Sequence, residues 1–306
     1  MIKKNAARII KLFGYFFTAI ALIFVGKSIW EQKKFLLQVD IRTATIILFA
    51  GIGTYTVANL ILTIAWKMLL NWFGETRLNF LTCAQIYGKS QILKYIPGNL
   101  FYLPGRHALG IRYGAEHAPL AGAMTLEIAG LFAASSGISI LGILFTTEAS
   151  ARLPLFAVVT TLALSFAFPA VLKRALSFEF VQNKIPVLKK MRWGGYFQLL
   201  AIWSLYLAFF VLIGLIMLWT IAAVTGRWNA APFNAVLSAF AISWLLGSIA
   251  PGAPAGAGIR ESVIILLLSK YIGESNSVLV SLMMRIVTIL GDVVFYFISA
   301  RLGNRN

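Results

Sequence analysis

Two short segments of this chain combine an interrupted backbone with a permanent positive charge. Pro97, Gly98 and Asn99 lead through Pro104 and Gly105 to Arg106, and Pro251 and Gly252 lead through Pro254, Gly256 and Gly258 to Arg260 and Glu261. In each segment an Arg stands nine positions after the first Pro, and the second segment starts 154 residues after the first. Proline removes a backbone donor and clashes with the preceding turn, so neither segment is expected to be a continuous helix. Exposed N–H groups at the start of a following helix favour an anion. Arg adds a planar, always-charged fork suited to phosphate. The expected chemistry is therefore recognition of an anionic, phosphate-bearing group by Pro97, Gly98, Asn99, Gly105, Arg106, Pro251, Gly252, Gly256, Gly258, Arg260 and Glu261. Glu261 follows Arg260 directly and would orient it or receive a cationic group, although adjacent side chains do not face each other on a helix. The alternative is that Pro and Gly cap two short helices while both arginines snorkel to lipid headgroups.

Three further charges fall inside apolar stretches: Glu127, Arg285 and Asp292. A charge there is costly unless paired or wet, so each is either part of a transport path or half of an interhelical ion pair, such as Glu127 with Arg285. Lys89 and Lys94 precede the first break on a face suited to the mouth of a cavity. Signatures of enzymes are mostly absent. No His-Glu-x-x-His occurs, and His107 and His117 flank the first segment in a polar stretch suited to solvation. Gly291-Asp292 resembles half of an intramembrane aspartyl site, but the only other aspartate is Asp40. Gly256-Ala257-Gly258 lacks the third glycine of a dinucleotide fingerprint. Ser135-Ser136-Gly137 suits close helix packing. Cys83 is the only cysteine, which excludes an intrachain disulfide or a cysteine zinc site. No catalytic residue, metal or cofactor is expected.

The elements that must carry these residues are membrane helices. Of 306 residues, 59% are hydrophobic and 12% charged, and the mean hydropathy is +0.84, against roughly 25% charged in soluble chains. Segments 44–66, 153–172 and 194–226 contain no Asp, Glu, Lys or Arg, and each is long enough to cross a bilayer. Spanning helices are expected at 12–30, 44–70, 118–147, 152–172, 196–225 and 278–300, with the first retained rather than cleaved as a signal peptide. The regions 82–111 and 233–270 read as helix, break, helix.

Shifting by 154 lays 44–70 over 198–224 and 118–147 over 272–301. The expected fold is thus all-α, a polytopic membrane bundle of two inverted repeats, 1–150 and 151–306, each with three spanning helices and one broken re-entrant hairpin. The net charge of +17 does not indicate nucleic acid, because the basic residues gather between apolar runs without interleaved aromatics. The basic loop 173–197 instead places both termini in the cytoplasm of a cell (inner or plasma) membrane by the positive-inside rule.

At the two broken segments the sequence resembles the lysylphosphatidylglycerol synthase transmembrane-region family. The resemblance is carried by Lys94-Tyr95-Ile96-Pro97-Gly98-Asn99 through Gly105-Arg106, and by Pro254-Ala255-Gly256-Ala257-Gly258-Ile259-Arg260-Glu261. Ala255 stands where that family commonly has glycine. The resemblance implies a flippase-like protein handling phospholipids or lipid-linked envelope precursors, without the synthase domain of the fused members. Two alternatives stand beside a translocator: an accessory subunit that holds lipid for an envelope-biosynthesis enzyme, and a membrane-embedded lipid transferase using Glu127, Glu261 or Asp292.

Overall fold

The computed structural model describes residues 41–75, 77–95, 102–146, 174, 194–250 and 254–302. The expected helices at 12–30 and 152–172 lie outside the described residues, as do Pro97, Gly98, Asn99, Pro251 and Gly252. Every described element is helical. In chain order these are α1 (Ile41–Trp72), α2 (Phe80–Gln91), a 3-10 turn (Ile92–Tyr95), α3 (Tyr102–Arg112), α4 (His117–Thr146), α5 (Tyr196–Thr225), α6 (Phe233–Ile249), a second 3-10 turn (Pro254–Gly256), α7 (Ile259–Ile272) and α8 (Glu274–Leu302).

Four of these helices are long and apolar enough to cross a membrane, at Thr45–Trp72, His117–Ile140, Phe197–Thr225 and Glu274–Leu302. They coincide with the expected spans at 44–70, 118–147, 196–225 and 278–300. A 30-residue helix such as α5 is about 45 Å long, more than a hydrocarbon core of about 30 Å. Large apolar side chains stay on the outside, with Phe197 87% and Phe49 70% exposed, as a lipid-facing surface allows. Such an architecture is compatible with an integral membrane protein.

Helix ends follow local chemistry. Asn79 caps α2 by accepting the Thr82 N–H at 2.8 Å. Gly226, at φ 68°, closes α5 with its N–H on the Ala222 carbonyl at 2.9 Å. Ala250 leaves α6 in extended geometry immediately before Pro251, as the residue before a proline must. Both regions expected to be interrupted are interrupted: α2 and α3 flank one break, α6 and α7 the other.

α1 packs along α5, α4 against α6, and α8 against α2, while the two 3-10 turns touch each other. Tyr95 of the first turn, Ala255 of the second and Ile289 of α8 form a small buried cluster at that junction. Small residues bring the helices close. A Cβ at Gly88 would lie 2.1 Å from Ser299 Oγ, and one at Gly130 would lie 2.6 Å from the Tyr206 ring. The Ser135 and Ser139 hydroxyls bond to carbonyls of their own helix, those of Phe132 and Ser135.

Candidate functional site

Around the meeting point of the two breaks lies a cavity of about 90 Å³. Lys94, Arg106, Arg260, Glu127, Asn59 and Ser248 supply part of its polar wall, and Leu62, Leu131, Phe132, Phe209 and Trp244 part of its apolar wall. Its volume admits several waters or one small polar group. Pockets that enclose a whole drug-sized ligand run to roughly 300–1,000 Å³.

Arg106 is wholly buried, although nothing in the sequence marks α3 as a buried helix. Its Nη1 pairs with Glu127 Oε2 at 2.5 Å, and its Nε donates to Ser90 Oγ at 3.1 Å. The guanidinium lies 3.7 Å from the Tyr87 ring centroid and 5.5 Å from that of Trp66, positions that favour cation–π attraction. Tyr87 donates its hydroxyl to the other Glu127 oxygen at 2.6 Å. The remaining nitrogen, Nη2, is buried without a hydrogen-bond partner. Gly105 lets α3 lie close to the first 3-10 turn, since a Cβ there would meet the Leu93 side chain.

Asp292, also wholly buried, pairs with Lys94 Nζ at 2.7 Å and accepts the Tyr95 hydroxyl at 2.6 Å. Asn59 Nδ2 lies 3.4 Å from its second oxygen, and Gln91 donates to Asn59 at 3.3 Å. Gly291 lets α8 seat against α1, where a Cβ would lie 2.5 Å from the Tyr55 ring.

The second break is built differently. Arg260 lies in a slot between two glycines: a Cβ at Gly247 would come 2.5 Å from its Cγ, and one at Gly256 2.8 Å from its Nε. Its Nη2 reaches Ser248 Oγ at 3.5 Å, while Nε is buried without a partner. Among the described residues, no carboxylate lies within ion-pair distance of Arg260. Glu261 turns elsewhere. One oxygen accepts the Gly258 N–H at 2.7 Å, capping α7, and the other lies 3.4 Å from Arg285 Nε. Arg285 Nη1 also donates to the Ala255 carbonyl at 3.1 Å. Ala255 has φ 48° and ψ 31°, the left-handed conformation that favours glycine. Arg285 therefore ties α8 to the strained residue of the second break.

Of the residues singled out from sequence, Arg106, Glu127 and Arg260 line one cavity, with Asp292 behind Lys94 and with Glu261 and Arg285 behind Arg260. Glu127 takes Arg106 as its partner, and Arg285 takes Glu261 and the Ala255 carbonyl. Gly258 is exposed at the start of α7. Tyr95 stood in the sequence only as part of the motif of the first break, and Tyr87, Asn59 and Gly247 were not singled out there. Of these only Asn59, an amide within the apolar run of α1, offered a signal. His107 Nε2 and His117 Nδ1 lie 2.9 Å apart at the corner between α3 and α4. Burial, and then the neighbouring His117, holds the His107 imidazole below its ordinary value. No group of three or more His, Cys, Asp or Glu side chains suited to a metal occurs among the described residues.

Among the described residues the fold and site define an all-helical protein with four helices able to cross a membrane and an ionic cavity between two helix breaks. No family model matches the chain, and no curated protein matches it.

Proposed function

We propose that this protein is a membrane translocator for lipids with anionic headgroups, related to the lysylphosphatidylglycerol synthase transmembrane-region family and built as two inverted repeats. The observation that carries the proposal is the cavity where the two breaks meet, lined by Arg260, which among the described residues has no carboxylate within ion-pair distance. Broken backbone at membrane depth persists only where protein or a water-filled cavity covers it, and paired breaks in corresponding positions mark the substrate site of many transporters.

Two further observations support the repeat. Shifted by 154, the starts of α1 to α4 fall within three residues of those of α5 to α8. Exchanging the halves maps each major contact onto another: α1 with α5 onto itself, α4 with α6 onto α8 with α2, and α1 with α8 onto α5 with α4. The cavity is too small for acyl chains, so the headgroup alone would enter it while the chains remain in lipid. The pairing of Glu127, Asp292 and Glu261 with cations weighs against the transferase alternative, because a general acid or base needs access to a reacting proton.

The test is reconstitution of the full chain in vesicles containing labelled phosphatidylglycerol, with its transbilayer distribution followed over time. Wild type is expected to accelerate exchange, and R260Q to slow it with insertion intact. An unchanged distribution for every anionic phospholipid tried would refute translocation. Arg106→Ala is the poorer probe, since it also strands Glu127.

A further inference from the structure

The charges around the cavity do not cancel. Lys94 is matched by Asp292 at 2.7 Å, Arg106 by Glu127 at 2.5 Å, and Arg285 by Glu261 at 3.4 Å. Among the described residues Arg260 is the cation left over, with a buried Nε that has no hydrogen-bond partner. Arg106 also borders the cavity, but it is 0% exposed and its charge is already met by Glu127. In a site of low dielectric an uncompensated charge is costly, and either a further positive charge or more negative charge than the surplus can meet adds to that cost. A ligand bearing one negative charge spread over two oxygens would cancel the surplus and could accept from the Arg260 guanidinium.

From this surplus of one, we infer that the cavity selects lipids whose headgroup carries a single net negative charge, as a phosphodiester does, over diphosphate-linked and net-cationic headgroups. The inference rests on the reading of this cavity as the headgroup site. A diphosphate would bring extra negative charge with no cation left to meet it. An aminoacylated phosphatidylglycerol with a lysyl group would add positive charge beside Arg260. The apolar wall of Leu62, Phe209 and Trp244 suits the carbons of a glycerol headgroup.

The experiment is equilibrium binding to the purified full chain in nonionic detergent. The probes are dioctanoyl phosphatidylglycerol, dioctanoyl phosphatidylcholine, dioctanoyl lysyl-phosphatidylglycerol, farnesyl diphosphate and chain-free glycerophosphoglycerol. Phosphatidylglycerol is expected to bind about tenfold to a hundredfold more tightly than the choline, lysyl and diphosphate lipids, the worth of one charge-assisted contact, and more tightly than glycerophosphoglycerol because its chains add apolar contact. R260Q should bring phosphatidylglycerol and phosphatidylcholine to nearly equal affinity. Ser248→Asp places a carboxylate beside Arg260 and should do the same or reverse the order. Tighter binding of the diphosphate or the lysyl lipid by wild type overturns the inference. So does a folded Ser248→Asp variant with the wild-type preference. Equal binding of glycerophosphoglycerol would assign the site to soluble phosphodiesters and overturn the lipid assignment. Translocation is judged separately in vesicles. Selective binding without exchange removes the translocator and leaves the charge selection standing. Equal exchange of anionic, zwitterionic and diphosphate lipids does the reverse.

Discussion

Removing either member of the Arg106–Glu127 pair leaves the other charge stranded among apolar side chains, so the two substitutions should be strongly non-additive. The side chains are 0% and 3% exposed, in contact at 2.5 Å. Arg106 also stacks on Tyr87 at 3.7 Å, and Glu127 also accepts from the Tyr87 hydroxyl at 2.6 Å. Breaking a buried pair by deleting one partner costs about 3–5 kcal/mol. Glu127→Leu and Arg106→Met should each fall in that range, Arg106→Met also losing its ring contact. Replacing both with apolar residues leaves no uncompensated charge and is often neutral or stabilising. The Tyr87 hydroxyl then loses its acceptor, at about 1–3 kcal/mol. The double variant should therefore lose at most about 3 kcal/mol, against about 6–10 kcal/mol for the summed singles, a coupling of at least about 3 kcal/mol. The assay is unfolding of the four purified proteins by SDS titration in mixed micelles. Additivity within about 0.5 kcal/mol would refute the pair as an energetic unit.

Ala255→Gly should stabilise the protein. Relief of the left-handed conformation is worth about 1–2 kcal/mol and the added freedom of the unfolded chain takes back about 0.4–1 kcal/mol, leaving roughly 0.5–1 kcal/mol in the same titration. A lower stability would show that the alanine methyl, buried against Tyr95 and Ile289, matters more than the backbone. His107 should titrate below the ordinary histidine value of about 6.5, and His117→Ala should move it partway back, since burial is the larger cause. The sign follows from linkage: below about 6.5 the unfolded chain binds the proton more readily than the folded one, so stability is lost as pH falls through that window. NMR of ring-labelled histidine checks both, and an unshifted His107 would remove burial as the cause.

Much of the fold is legible in the chain itself because hydropathy reports directly on lipid exposure. Uncharged runs near 44–66 and 194–226 mark α1 and α5, and Pro and Gly mark the two breaks, since backbone geometry is a local property. The matched position of Arg106 and Arg260 was equally visible. Their environments were not. Equal spacing from a proline does not specify whether a carboxylate waits on the neighbouring helix.

Sequence by itself determined that this is a helical chain with four spans among the described residues, two interruptions 154 residues apart and an arginine after each. Tertiary structure alone decided which charges cancel. Glu127 meets Arg106 rather than Arg285, and Asp292 of α8 meets Lys94 and Tyr95, the latter 197 residues away. Glu261 turns from its neighbour Arg260 to Arg285. The physical reason is that ion pairing depends on separations of a few ångströms between helix faces, which are set by how glycines such as Gly291 and Gly88 let helices approach. Hydropathy carries no information about which face meets which. The surplus positive charge of Arg260 exists only once all those pairings have been made.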